Sequence, residues 1–320
     1  MLEGAATASQ MAAFIFGLRC KGETAEELAG MLDAMLEVAE KVPVDAELAS
    51  RLVDTCGTGG DRAGTINVST VAAFVVAGAG VPVCKHGGRA ASSRTGSADV
   101  LEALGVEIAL PPASVARCIE EVGIGFCFAP LYHPAMRHVV PTRRELGVPT
   151  AFNLLGPLAN PARAPYQLVG VGDGRVAGTL AKVLGGAGAK RAWVVHGEDG
   201  LDELSVTAAS QVVEWRAEQG LSEMVVRPEE LGLPLSHLEA LRGGDANANA
   251  AAAVSVLEGE KGPWRDIVAL NAAGALVVAG AAGELAEGLG AAAEAIDSGR
   301  AWRCLEKLVA LSKQEAARAR

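Results

Sequence analysis

The chain has 320 residues, half of them apolar, with 39 glycines and only 4% aromatic residues. Its formal net charge of −10 excludes a general binder of nucleic acid or of an anionic membrane, because both need a basic surface, and the four tryptophans and two tyrosines are too scattered for a stacking platform. The length supports a sizeable core in one large or two unequal domains, and an anionic substrate must be held by a local basic cluster or through a metal ion.

In chain order, residues 6–19 and 24–40 read as helices. Thr24 with Glu27 makes a capping box, and Leu28, Met31, Leu32, Met35, Leu36 and Ala39 then mark one face. Pro43 ends this helical start. Residues 50–110 alternate strand and helix, as a parallel sheet demands. Three polar, glycine-rich turns lie there: GTGGD at 57–61, NVST at 67–70 opening the apolar run 71–77, and KHGGRAASS at 85–93 after the strand-like 81–84. Glycines let main-chain N–H groups approach a ligand closely and permit positive φ. Asn67, Ser69 and Thr70 stand where a helix starts, so bare amides and a positive dipole end face outward, an arrangement suited to phosphate. Lys85, Arg89 and Arg94 add positive charge, and Ser92 and Ser93 add donors. Any one turn is as readily an ordinary surface loop; three together, with charge of one sign at the last, favour a polyphosphate ligand. The pattern is neither GxxxxGK[ST] nor GxGxxG, which fails at Arg62.

Residues 112–123 read as a helix and 124–129 as a short buried strand. The stretch 153–161, rich in Gly, Asn and Pro, reads as a loop with a defined turn. Strand-like segments recur at 167–172 and 192–196 with a helix between, 208–227 reads as antiparallel strands, 243–245 as a loop, and 247–318 as mostly helical. There is no internal repeat and no disordered segment. The run 267–283, Ala/Gly-rich and broken by Asn271, falls short of the ~20 residues of a spanning helix, and a buried helix is expected. No charged leader precedes an apolar h-region. Cys20, Cys56, Cys84, Cys118, Cys127 and Cys304 form no CxxC pair and mostly sit in apolar runs, the pattern of reduced core thiols in a cytosolic protein; Cys56, beside a glycine turn, is expected to be lightly exposed.

The second parallel strand of that later pair runs into the acidic loop HGEDGLDELS, 196–205. An α/β fold puts ligands at the carboxyl ends of its strands. Asp202 and Glu203 are adjacent hard-oxygen ligands suited to Mg²⁺, which keeps waters and shares substrate phosphates; a solvated acidic turn is the competing reading. His138, His196 and His237 read as structural, with no metal-ligand spacing among them.

GTGGD, NxST and KHGxRxxSS, in this order and spacing, resemble the anthranilate phosphoribosyltransferase family of the tryptophan pathway, and the resemblance covers nearly the whole chain. It implies an α/β fold with a small all-helical domain and a larger α/β domain with a mainly parallel central sheet. The helical domain would be residues 1–45, completed by part of 108–140; the large domain would be 46–107 and 141–320, with the active site in the cleft. The implied reaction transfers the 5-phosphoribosyl group from phosphoribosyl diphosphate to the amine of anthranilate. The implied setting is a cytoplasmic homodimer joined through the helical domain, with no nucleic-acid or membrane partner. Mg²⁺ is the implied cofactor, held by Asp202 and Glu203, with a second ion on Ser69.

By motif, Gly57 lies between donor and acceptor, and Gly60, Asp61, Thr65, Asn67, Ser69, Thr70, Lys85, Ser93 and Ser97 match donor-binding positions. Arg143 matches the arginine that pairs with the acceptor carboxylate, where a planar guanidinium fits bidentately; Arg144 beside it reads as solvated. Arg89 and Ser92 belong to the same substrate loop. His86 either hydrogen-bonds the acceptor or only fixes the loop, and His133 lines the acceptor channel. No residue is singled out as a general acid or base. The aromatic amine is neutral at pH 7, so catalysis is positioning plus leaving-group stabilisation. Two departures stand out. Gly88 replaces the Asn of the family's KHGNR, which admits a different aromatic acceptor. The chain also begins later than the family, so Leu2 and residues 11–16 are expected to be partly uncovered. The competing readings are a pyrimidine nucleoside phosphorylase-like enzyme and a degenerate homologue that only binds.

Overall fold

The computed structural model describes residues 1–90 and 95–319. Helices α1 (Ala8–Lys21) and α2 (Ala25–Glu37) open it, each on a capping box: Thr7 with Gln10, and Thr24 with Glu27 as expected. Leu28, Leu32, Met35 and Leu36 are buried and Met31 half-buried; the helix ends at Glu37, so Ala39 lies past it. The short α3 (Ala46–Ala49) leads into the alternation β1 (Val53–Gly57), α4 (Val68–Gly78), β2 (Val83–Gly87), α5 (Ser97–Ala103), α6 (Pro112–Val122) and β3 (Ile124–Phe128). Then come α7 (Ala129–Tyr132), α8 (Val140–Leu146), α9 (Ala151–Leu158), β4 (Tyr166–Gly170), α10 (Ala177–Gly186) and β5 (Arg191–Gly197). The hairpin β6 (Ser210–Arg216) and β7 (Gly220–Val226) precedes the helical tail α11 (Ala246–Leu257), α12 (Pro263–Val278), α13 (Leu285–Asp297) and α14 (Arg300–Ala319).

Among the described residues one sheet runs in the order β3-β2-β1-β4-β5-β6-β7. The pairs from β3 through β5 are parallel and the two at the β7 edge antiparallel. Period-two alternation splits the side chains of its central strands between two cores. Leu168, Trp193, Val195 and Val212 join the core made with α4, α12 and α14. Val169, Ala192, Val194 and Val213 join the other, with Leu155 of α9, Leu180 and Leu184 of α10, and Ile15, Leu28 and Leu32 of the helical start. Each Val, Leu or Ile among them contributes about 1.5–3 kcal/mol on burial. Helix α1 packs on α8 and α9, and α2 on α9 and α10, whereas α6 packs on β3 and α14. The helical start therefore rests on residues 140–158 and 177–186, and residues 112–122 lie in the α/β core.

Helix α12 is buried from Ile267 to Val278, ending short of Gly283. Its Asn271 is tolerated there because Oδ1 accepts the Leu204 N–H at 3.0 Å and Nδ2 donates to the Leu204 and Ile267 carbonyls at 2.9 Å. No helix among the described residues is long and apolar enough to cross a membrane.

Two expectations fail. Residues 153–158 are helical, not loop. Asn153 is spent in a capping box with Thr150, and Pro157 sits in the last turn, where it forfeits a single ladder bond. Cys56 is buried, because this helix end covers it and its thiol donates to the Pro157 carbonyl at 3.3 Å. Cys84, Cys118 and Cys127 are buried as expected, and burial pushes the Cys118 thiol up to about 12. On α1, Met11 and Ile15 are buried while Phe14 and Phe16 are 46% and 47% exposed.

Candidate active site

The parallel strands point their carboxyl ends at one cleft. Gly57 and Gly170 face each other in the β1–β4 register, and the loop after β5 drives Asp202 against both. A Cβ on Gly57 would lie 2.4 Å from Asp202 Oδ2, and one on Gly170 1.6 Å from the Asp202 carbonyl oxygen, so only glycine fits at either place. Gly59 and Gly60 adopt φ of 66° and 86°, and the Gly59 N–H donates to Asp202 Oδ2 at 2.8 Å. Next to it, Glu203 Oε1 accepts the Ser69 N–H at 3.3 Å at the start of α4, where the helix dipole favours an anion. An amide expected to be bare is therefore taken by the protein's own carboxylate. Thr55 Oγ1 donates to the Ser69 carbonyl at 2.9 Å and fixes that turn to β1.

Burial pushes the Asp202 carboxyl up to about 7, with the charge of Asp61 adding to it. Burial, then the charge of Asp202, pushes Glu203 well above the carboxylate range, with Lys85 opposing. Two under-neutralised carboxylates side by side are what a divalent cation relieves. Among the described residues no three His, Cys, Asp or Glu side chains group as a metal cage. Such a two-carboxylate donor set fits Mg²⁺, which fills most of its shell with water and phosphate oxygens.

Lys85 is not on the loop surface. It lies in β2, 3% exposed, with Nζ donating to the Thr55 carbonyl at 2.6 Å and its charge facing Asp54 and Glu203. Strand alternation turns it inward, where the Thr55 carbonyl holds it and Asp54 and Glu203 face its charge. Two residues behind it carried no local signal. Asp54 is fully buried and accepts the His86 N–H at 3.2 Å and Asn160 Nδ2 at 2.8 Å; Asn160 Nδ2 also donates to the Cys84 carbonyl at 2.7 Å. Burial lifts Asp54 to about 6, with Lys85 opposing most strongly.

His86 and His133 are both buried and meet edge to face, ring centroids 5.1 Å apart. Burial, then the neighbouring His133, holds His86 down to about 3, and its Nε2 has no hydrogen-bond partner among the described residues. His133 Nε2 lies 2.8 Å from the Ala159 carbonyl. Arg143, half-buried, reaches Asn153 Oδ1 at 3.2 Å and lies 5.3 Å over the Phe152 ring, while Arg144 is exposed.

In the third turn, Arg89 is engaged by acids: NH1 meets Asp99 at 2.7 Å and Glu102 at 2.6 Å, and the guanidinium lies 5.6 Å over Phe128. Ser97 Oγ donates to the Gly88 carbonyl at 3.3 Å. Among the described residues a Cβ added at Gly88 would meet only Ala129 Cβ, at 3.8 Å, which leaves room for a side chain. In the first two turns, Asp61 is half-buried and accepts the Ala63 N–H at 3.2 Å, Thr65 bridges to Arg242, Thr70 is buried, and the Asn67 side chain caps nothing in its own helix. Ser92, Ser93 and Arg94 lie outside the described residues.

With the geometry in place, the likenesses are informative. Residues 49–302 match the α/β domain of a glycosyl transferase family, and residues 1–39 match the helical bundle domain of that description. An anthranilate phosphoribosyltransferase of Rhodopseudomonas palustris (strain BisB5) is 52% identical over 312 residues, 98% of this chain and 91% of the relative. The crystal structure of the enzyme of that name from Thermus thermophilus is 47% identical with a TM-score of 0.91, over 98% of this chain and 92% of the other. That from Saccharomyces cerevisiae, described in complex with PRPP and Mg, is 29% identical with a TM-score of 0.88, over 98% and 90%.

Proposed function

The chain belongs to the anthranilate phosphoribosyltransferase family, and we propose that the cleft at the carboxyl ends of β1, β2 and β5 is where it acts. Its reaction passes the 5-phosphoribosyl group of phosphoribosyl diphosphate to the amine of anthranilate, giving N-(5-phosphoribosyl)anthranilate and diphosphate in tryptophan biosynthesis. The observation that carries the placement is the pair Asp202 and Glu203, seated between two facing glycines and the start of α4.

The donor's phosphates lie along the turns of Gly57, Gly60, Asp61, Thr65, Asn67, Ser69, Thr70, Lys85, Arg89, Ser92, Ser93 and Ser97. Asp202 and Glu203 would hold Mg²⁺, and Ser69 a second ion, and the metal would supply positive charge where the diphosphate leaves. The yeast relative described with PRPP and Mg supports this use of the metal. The chain's own residues do the rest by position. The left-handed turn at Gly59 and Gly60 brings the main chain against Asp202, and the α4 dipole adds a fixed partial charge where negative charge grows. Lys85 acts from behind, limiting the repulsion that Glu203 presents to a polyanion.

On the acceptor side, Arg143 pairs with the benzoate, its guanidinium oriented by Asn153 and Phe152. His86, whose buried Nε2 has no hydrogen-bond partner among the described residues, borders the acceptor, and His133 packs against the His86 ring. Held at about 3, His86 is neutral at pH 7 and orients rather than ionises. Gly88 leaves space there without closing the acceptor pocket.

The protein acts in the cytoplasm as a homodimer through its helical domain, residues 1–45 with part of 108–140. The exposed Phe14 and Phe16 on α1 support that face, and light scattering reads the mass directly. The function itself is tested by following anthranilate fluorescence. Loss of signal should require both phosphoribosyl diphosphate and Mg²⁺; a signal that persists with all three present would sink the reading.

A further inference from the structure

A closed ring of hydrogen bonds ties the donor turns to α11, a helix with no other part in the reaction. Asn249, 3% exposed, donates from Nδ2 to Asn67 Oδ1 at 2.7 Å and accepts the Gly244 N–H on Oδ1 at 2.7 Å. Asn67 Nδ2 donates to the Thr95 carbonyl at 3.1 Å, and Thr95 Oγ1 donates to the Gly244 carbonyl at 3.0 Å. The ring passes through the start of α4, the far end of the third turn, and the 243–245 turn. Main-chain bonds from Ile66 to Leu241 at 3.1 Å and from Gly243 to Gly64 at 2.9 Å run beside it. The fit is close: a Cβ on Gly243 would lie 2.3 Å from Asn249 Oδ1 and 2.9 Å from the Thr65 carbonyl.

The chemistry of the ring is directional. A carboxamide carries a donor and an acceptor on one plane, so it passes polarity from one neighbour to the next. Because Asn249 presents Nδ2 to Asn67 Oδ1, Asn67 must present Nδ2 to Thr95. Asn67 stands at the start of α4 yet makes no side-chain bond to its own helix; its side chain spans outward to the third turn. We propose that Asn249 is a positioning residue for the phosphoribosyl diphosphate: it touches no substrate but holds the α4 start and residue 95 in the register at which both face one donor. This rests on placing the donor in those turns.

Asn249→Asp tests it, since the change keeps size and the acceptor for Gly244 while turning the atom that faces Asn67 from donor to acceptor. The KM for phosphoribosyl diphosphate should rise about tenfold or more, the effect of one buried hydrogen bond made repulsive. The KM for anthranilate should stay nearly constant, and the thermal midpoint should hold within a few degrees. Asn249→Ser should move the donor KM the same way by less. Calorimetric titration of the Mg²⁺ complex of phosphoribosyl diphosphate reads the shift without turnover. On an Asn67→Ala background, Asn249→Asp should add nothing, because the path is already cut. An unchanged donor affinity in the folded variants, an equal rise in both KM values, or failure of both variants to fold overturns the proposal. A wild type that binds no donor removes the donor placement and this role with it; a wild type that binds, with variants that bind equally, removes the role of Asn249 alone.

Discussion

Asp54, inside β1, and the pair Asp202 and Glu203, on the loop beyond β5 at the sheet's carboxyl end, are carboxylates built to opposite purposes. Asp54 is surrounded: it accepts from Asn160 and from the His86 amide, and Lys85 supplies a cation. Asp202 and Glu203 are only half-buried, at the cleft, and each has one main-chain N–H in these contacts and a like charge close by. Full burial with matched partners makes a strut. Burial with deficient partners makes a place that gains when a cation and a polyanion arrive.

The difference is broken most sharply by removing each in turn. Asp54→Ala should cost about 3–5 kcal/mol of stability, because it removes the carboxylate that faces buried Lys85 and leaves one N–H of the Asn160 amide without an acceptor; urea unfolding measures it. Asp202→Asn should do the reverse. It should lower kcat/KM by about 10²–10³-fold, comparable to losing one transition-state stabiliser, while the unfolding midpoint stays or rises as a buried like charge is removed. A loss of stability without loss of activity at position 202 would erase the distinction.

The pH dependence sharpens it. The folded-state pKa of His86 is lowered to about 3 from 6.5. Its cost is therefore absent above pH 6.5 and grows as pH falls toward 3, at about 1.4 kcal/mol per pH unit for one proton. Asp54, raised to about 6 from 3.8, works against this by taking up a proton first in the folded state. Urea midpoints from pH 4 to 6.5 should show His86→Gln less acid-sensitive than the wild type by up to that slope. The smallest effect is at Gly88: Gly88→Asn finds open space and should lower the anthranilate KM by a few-fold, about 1 kcal/mol or less. Unchanged saturation kinetics would mean that position 88 does not face the acceptor.

Local signals read well where local chemistry decides. The Thr24–Glu27 capping box, the strand–helix alternation of residues 50–110 and the buried helix containing Asn271 all depend on neighbours within a few residues. The 153–158 helix was misread because its Asn and Pro are common turn formers, and only the Thr150 cap and a proline confined to the last turn reconcile them with a helix. Lys85 falls in β2 and not in the turn after it, because the strand runs on to Gly87 and polar residues at its end carry the same local signal as a loop.

From the sequence alone came the glycine turns, the acidic pair, the mostly parallel α/β plan and, through its motifs, the family, because these rest on short-range spacing and backbone freedom. Only the tertiary structure showed that Asp54 meets Asn160 across 106 residues and that Asn249 meets Asn67 across 182. Such pairs leave no periodicity in the chain: each side chain is ordinary where it stands, and its role exists only once the sheet brings a distant partner within hydrogen-bonding reach.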